Sequence, residues 1–414
     1  MDESSSSDQQ TERQRPLPTS SRWLEIFWVS TKLGLTSFGG PIAHLGYFRE
    51  EYVKRRGWLD ERSYAELVAL CQFLPGPASS QVGMGIGLMR GGLIGSLLAW
   101  LGFTLPSVIV MIAFAVILQN FDATGAGWIH GLKIAAVAVV AQAVTGMGRS
   151  LAPDRTRAAI AALAACVVLL ASTVFIQIAV MIAAACAGIL LYGRPSAADM
   201  KAYHESNTGI SVPVGRQTAA ACLILFFGLF ALLPLLRYFV HHPVMQVLDG
   251  FYRSGALVFG GGHVVLPLLQ REVLPTGFVS EADFLSGYAA AQAVPGPLFT
   301  FSAYLGMVGA GWIGALVGTI AIFLPGFLLI VGTLPFWSII SRSPAIRAVM
   351  TGVNAAVVGM LLAALYDPVW TSAIGSSADF ALAAILFVLL MFWKFPAWVI
   401  VAIGAAGGEL LSLF

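Results

Sequence analysis

Gln72-Phe73-Leu74-Pro75-Gly76-Pro77 returns 220 residues later as Gln292-Ala293-Val294-Pro295-Gly296-Pro297. A Pro-Gly-Pro step inside an apolar run breaks a helix, because proline removes a backbone donor and glycine tolerates a sharp turn. The correspondence extends in both directions. Phe38-Gly39-Gly40 returns as Phe259-Gly260-Gly261, Glu51 as Glu272, Ile94-Gly95 as Ile313-Gly314, Leu105-Pro106 as Leu324-Pro325, and Gly131 as Gly352. The offset stays between 219 and 221, so the chain is an internal duplication, an arrangement common in transporter folds.

The surroundings of these breaks set the medium. Of the 414 residues, 58% are hydrophobic and only 11% charged, with a mean hydropathy of +0.82. Soluble domains carry roughly 25% charged residues. Runs such as 160–191 and 380–414 are nearly free of charge and long enough for helices that cross a bilayer. The short alternating segments of a membrane barrel are missing. The expected class is an all-α polytopic membrane protein, with the lipid bilayer as its first partner. A net charge of +2 without a long basic run gives no reason to expect nucleic acid. Cys71, Cys166, Cys186 and Cys222 lie scattered in apolar sequence and read as packing residues.

Residues 1–21 are polar and lack the apolar centre of a signal peptide, so they read as a disordered cytoplasmic tail. A first repeat covers 22–192, a polar cytoplasmic linker 193–216, and a second repeat 217–414. Hydrophobic segments fall near 22–47, 64–89, 91–118, 128–148, 158–173 and 174–192. They recur near 243–269, 284–308, 310–336, 346–366, 380–393 and 397–414. An extra segment, 217–236, opens the second repeat and makes thirteen. Seven segments separate equivalent points, so the repeats are expected to face opposite ways. Lysine and arginine flank 149–157 and the linker but are absent from 119–127 and 366–379. That bias predicts a cytoplasmic N-terminus and an external C-terminus. The basic loop 49–62 stays inside only if the first two segments of each repeat are re-entrant hairpins. Thirteen full crossings would put it outside.

The breaks supply the candidate site. Pro41, Pro77 and Pro297 can each open a half-helix, since a first-turn proline loses no hydrogen bond. Free N–H groups and partial positive charge at such ends suit an anion at the midplane. Four ends, two per repeat, would form a cage around Gly39, Gly40, Pro41, Pro75, Gly76, Pro77, Gly260, Gly261, Pro295, Gly296 and Pro297. Ser79, Ser80 and Thr300 follow the breaks with hydroxyl donors. Lys32 and Arg253 occupy equivalent positions six residues before each Phe-Gly-Gly, where intramembrane charge marks a pathway or an ion pair; Asp249 is a ready partner for Arg253. Lys133 is a third basic candidate, with Asn354 as its counterpart. His44 and His263 follow the Gly-Gly motifs and can donate or titrate. Glu50, Glu51, Glu66 and Glu272 flank the hairpins as solvated, paired or proton-coupling groups. Neither a phosphate loop nor a zinc-ligand cluster nor a nucleophile elbow is present, so no enzyme, cofactor or metal is expected, and a gradient must supply the energy.

Ser37-Phe38-Gly39-Gly40-Pro41 with His44, then Tyr52 and Trp58-Leu59-Asp60, then Gln72 to Pro77 and Gln81, resembles the chromate ion transporter family. Phe259-Gly260-Gly261-Gly262-His263 and Gln292 to Pro297 resemble its second repeat. The resemblance covers nearly all of the chain after residue 20. It implies the long two-domain form, which exports chromate from the bacterial cytoplasm across the plasma membrane and confers resistance. Helix ends read charge, size and acceptor oxygens, so sulfate or another oxyanion is the alternative substrate, and an anion channel the alternative of another class. The sequence leaves the coupling ion and the oligomeric state open, a homodimer included.

Overall fold

The computed structural model describes residues 19–37, 40–120, 127–170, 174–193, 213–240, 242–259, 264–337 and 343–413. The tail, most of the linker, Gly39, Gly260, Gly261 and His263 lie outside them. Among the described residues there are fifteen α-helices and no strand. In the first repeat these are α1 (Thr19–Thr36), α2 (Gly40–Phe48), α3 (Glu61–Phe73), α4 (Ala78–Asn120), α5 (Gly127–Leu151), α6 (Arg155–Leu170) and α7 (Val174–Tyr192). Then follow α8 (Arg216–Phe239), α9 (Pro243–Leu257), α10 (Val265–Val273), α11 (Glu281–Ala293), α12 (Phe301–Thr333), α13 (Pro344–Ala364), α14 (Ser377–Met391) and α15 (Ala397–Leu411).

Five helical stretches are long and apolar enough to cross a membrane: 78–119, 127–151, 216–239, 298–336 and 344–370. The outer surface is apolar as well, with Leu170, Leu190 and Ile224 largely exposed. The protein is a polytopic all-α membrane protein.

Local chemistry fixes where helices start. Asp60 accepts from the Ser63 N–H ahead of α3, and Ser280 accepts from the Asp283 N–H ahead of α11. Each satisfies a helix-end donor that has no partner within the helix. Ser376 and Asp379 form a reciprocal capping box on α14.

Two of the longest stretches are hairpins. Gly91 and Gly92 leave helical geometry inside α4, as do Ala310 and Gly311 inside α12. A β-carbon on Gly87 would lie 2.4 Å from the Gly95 carbonyl, so the chain has doubled back on itself. The first arm of α4 spans about 20 Å, too short for a hydrocarbon core of about 30 Å.

The chain also returns to the end at which it starts. Arg56, beyond α2, donates to Glu25 on the first turns of α1, and Arg90, at the turn of α4, donates to the same carboxylate. In the second repeat Gln246, at the start of α9, donates to Thr276 beyond α10. The second arm of α4 then runs away from that end. At its far end Gln119 reaches the Val308 carbonyl beside the turn of α12, and Phe114 packs on Tyr304. The equivalent turns of α4 and α12 therefore sit at opposite ends of one long helical arm.

The two sets of helices interlock. α5 packs on α14 and α15 from the end of the chain, whereas α13 packs on α6 and α7 from the first repeat. Glycines let these backbones approach, as apolar helices require when dispersion rather than water drives association. An added β-carbon on Gly131 would lie 2.0 Å from the Gly404 carbonyl, and one on Gly352 would lie 2.0 Å from the Ala184 carbonyl.

Candidate functional site

The two Pro-Gly-Pro loops meet the opposite repeat. Gly76 N–H donates to the Val258 carbonyl at 2.7 Å, and Gly296 N–H donates to the Ser37 carbonyl at 2.9 Å. Ser37 and Val258 each precede a Phe-Gly-Gly motif, so each loop is tied to the other repeat's glycine break. Gly76 and Gly296 both hold positive φ, 123° and 97°, which L side chains avoid. Ser107 Oγ adds a 2.6 Å bond to the Pro295 carbonyl. Gln81 Nε2 spans the Pro75 and Gly326 carbonyls at 3.0 and 3.3 Å.

The amide groups of Gly76 and Gly296 are thus committed to carbonyls across the crossing. A donor spent on a buried carbonyl cannot leave it without stranding that carbonyl.

Helix starts surround the crossing. α2 begins at Gly40 with Pro41 in its first turn, and α4 begins directly after Pro77. Pro297 instead leads into a short 3-10 turn, Leu298–Thr300, that continues as α12. Within these first turns lie polar side chains that are buried in an apolar core. His44 Nδ1 and Ser79 Oγ are 3.2 Å apart, and His44 stacks edge-on with Phe103. Thr300 Oγ1 donates to the Pro297 carbonyl at 2.9 Å. Ser37 Oγ, His44 Nε2, Ser80 Oγ, Gln81 Oε1, Thr104 Oγ1 and Ser302 Oγ are buried with no hydrogen-bond partner among the described residues. An unsatisfied buried polar atom costs on the order of 1–3 kcal/mol. Ser37, Ser80 and Gln81 lie on or next to the residues that form the crossing, where another group can complete the bonding.

The basic candidates have carboxylate partners. Lys32 Nζ lies 2.8 Å from Glu51 Oε2, and Arg56 Nε donates to Oε1 of the same group at 2.9 Å. Arg253 holds Asp249 at 2.8 Å and Glu272 at 3.1 Å, and Arg237 shares both carboxylates. The Lys32–Glu51 pair thus has a counterpart in Arg253–Glu272, because both partners are duplicated at the same offset. Glu51 and Glu272 are buried, while the Lys32 side chain is half exposed. Lys133, half-buried on α5, has no ion-pair partner among the described residues, and the Oδ1 of its counterpart Asn354 is buried and unpaired.

Sequence reasoning expected His44, Ser79, Ser80 and Thr300 beside the proline breaks; His44 and Ser79 lie 3.2 Å apart, Ser80 follows in the first turn of α4, and Thr300 sits in the 3-10 turn after Pro297. It overlooked Ser107 and Ser302, which carry no motif, and it quoted Ser37 and Gln81 only within a motif. For Ser302 a signal exists in the repeat: it replaces an apolar residue, Val82, at the equivalent position. Among the described residues no group of three or more His, Cys, Asp or Glu is placed to hold a metal ion.

Known proteins resemble this chain along most of its length. A chromate transport protein of Pseudomonas aeruginosa is 27% identical over 402 residues, 94% of this chain and 92% of that protein. A chromate transport protein of Cupriavidus metallidurans is 28% identical over 382 residues, 91% of this chain and 89% of that protein. An uncharacterized transporter of Methanocaldococcus jannaschii is 25% identical over 346 residues, 82% and 83% of the two chains. No solved structure matches. The chromate transporter family profile matches residues 24–189 and 245–408. Those two regions contain both Pro-Gly-Pro loops, both partner motifs and the duplicated ion pairs, and the chain belongs to the chromate transporter family.

Proposed function

We propose that this protein exports chromate across a bacterial plasma membrane and so confers resistance. The observation that carries the reading is the exchanged crossing, with the starts of α2 and α4 and the unpaired buried side chains of Ser37, Ser80 and Gln81 beside it. A tetrahedral oxyanion offers acceptor oxygens on every side, which suits Ser37, Ser80 and Ser302 together with the first turns of α2, α4 and α12. Gly40, Pro41, Pro75, Gly76, Pro77, Pro295, Gly296 and Pro297 shape the chamber. His44, Ser79 and Thr300 line it with polar groups, and Gly39, Gly260, Gly261 and His263 belong to the same set by sequence.

Lys32 and Arg253 act in this proposal by exchanging their carboxylates for the passing anion, and Lys133 attracts it along α5. Two repeats, 22–192 and 217–414, face opposite ways; the placement of their hairpin turns at opposite ends of one arm supports this. The return of Arg56 to Glu25 supports re-entrant hairpins, a cytoplasmic basic loop 49–62, a cytoplasmic N-terminus and an external C-terminus. An anion leaving a negative interior gains about 2.3 kcal/mol per charge per 100 mV, so export needs no ATP site.

Everted membrane vesicles containing the protein should accumulate labelled chromate when their lumen is positive. Vesicles without it should not. Equal uptake in both would end the reading, and excess unlabelled sulfate in the same assay reports whether sulfate shares the path.

A further inference from the structure

We infer that the anion held at the crossing is a hydrogen oxyanion, with its O–H donated to Gln81 Oε1; this rests on the transport reading above. Gln81 is fully buried in the first turn of α4. Amide oxygen and nitrogen are told apart by their partners. Here both neighbours of Nε2 are carbonyls, Pro75 and Gly326, so that atom is the nitrogen and both its hydrogens are in use. The remaining atom, Oε1, can only accept, and it is buried with no donor among the described residues.

The other unpaired groups at the crossing differ in kind. Ser37, Ser80 and Ser302 carry hydroxyls that turn to donate to an anion, and His44 Nε2 donates in the tautomer whose Nδ1 accepts from Ser79. A fully ionised tetrahedral anion would satisfy them and leave Gln81 Oε1 bare, since it has no hydrogen. A hydrogen oxyanion satisfies both kinds, three oxygens accepting and one O–H donating. Gln81 has no counterpart in the second repeat, where Phe301 stands at the equivalent position. The anion is therefore bound in one orientation, with its protonated oxygen toward the loop at Pro75.

This sets a substrate class. Chromate takes up a proton near neutrality, whereas sulfate and selenate do so only in strong acid. A site that reads the O–H accepts the hydrogen form of chromate and rejects the other two despite their similar shape. Each anion exported also carries a proton, which it releases outside as the free ion reverts to the dianion.

The ionisable groups on the helices packed against α4 are Arg22, Glu25 and Lys32 of α1, His44 and Tyr47 of α2, Glu61, Arg62, Tyr64, Glu66 and Cys71 of α3, Glu281, Asp283 and Tyr288 of α11 and Tyr304 of α12. Of these His44 has an ordinary range closest to neutrality, so the test must separate a proton on the ligand from a proton on His44. The full chain in lipid nanodiscs is dialysed against labelled chromate, then against labelled selenate, from mildly acid to mildly alkaline pH. The expected result is chromate affinity that falls about tenfold per pH unit once the free ion is mostly unprotonated, with selenate bound at least tenfold more weakly throughout. His44→Gln should keep that slope, and Gln81→Met should bring chromate and selenate affinities together. Chromate and selenate bound alike at every pH would overturn the inference while leaving the transport reading standing. So would equal pH slopes for both ions that vanish in His44→Gln. Failure to bind chromate at any pH would remove both.

Discussion

Gly296 donates its backbone N–H to the Ser37 carbonyl at 2.9 Å, and an added β-carbon on Gly296 would lie 2.2 Å from Ser107 Oγ. The residue therefore meets the first repeat on two sides while holding φ at 97°. Gly296→Ala should lose about 1–3 kcal/mol of stability from backbone strain alone, and more from displacing Ser107. Gly76→Ala meets Gln81 Nε2 at 3.1 Å and the Gly326 backbone at 3.2 Å, contacts looser than that of Gly296 with Ser107, so its loss should be smaller. Thermal unfolding of the two variants in detergent measures the order, and equal losses would mean that φ alone sets the cost.

The two ion-pair clusters should respond differently. Asp249 is fully buried between Arg237 and Arg253. Asp249→Ala leaves two guanidinium groups sharing Glu272 and should destabilise by about 3–5 kcal/mol. Lys32→Ala leaves Glu51 with Arg56, and Lys32 is half exposed, so the loss should stay under about 1 kcal/mol. Folded yield reports the first effect. A normal yield with weakened chromate flux in Lys32→Ala would place Lys32 on the transport path, and normal flux would make its role structural.

Topology is open to chemical labelling. On a cysteine-free background, Arg55→Cys should resist an impermeant thiol reagent applied from outside, and Gly375→Cys should react. Arg55 lies in the turn that returns to the start of α1. External labelling at position 55 would replace the re-entrant hairpins by full crossings.

Flux should follow membrane potential. In proteoliposomes at constant pH, an imposed interior-negative potassium diffusion potential should speed outward chromate movement. For one charge, 100 mV changes the equilibrium ratio by roughly fiftyfold. A rate indifferent to potential would indicate an electrically silent step, with the anion's charge matched by a counter-ion.

The breaks and the duplicated charged positions were legible because glycine and proline announce themselves and because the repeat shows each position twice. The partner of each loop was not legible. Nothing in Pro295-Gly296-Pro297 names Ser37, since a backbone hydrogen bond carries no side-chain signature. Ser107 was hidden for the same reason: a lone serine in an apolar helix most often bonds its own helix, as Ser254 does with Gly250. Lys32 was found by its charge, but its pairing with Glu51 depends on α2 folding back along α1. That follows from the reversal of the chain before α2, where Gly40 holds positive φ, and not from spacing along a single helix.

The interlocking of helices has a consequence for how the chain is made. The Trp128 N–H that opens α5 is held by Glu409, 281 residues further along, and Gly131 packs on Gly404. At ordinary synthesis rates that partner emerges roughly a quarter of a minute to a minute later. For that interval α5 sits in the membrane with its glycine face against lipid or another protein. A ribosome stalled before α14 would leave that face uncovered, a natural target for membrane quality control.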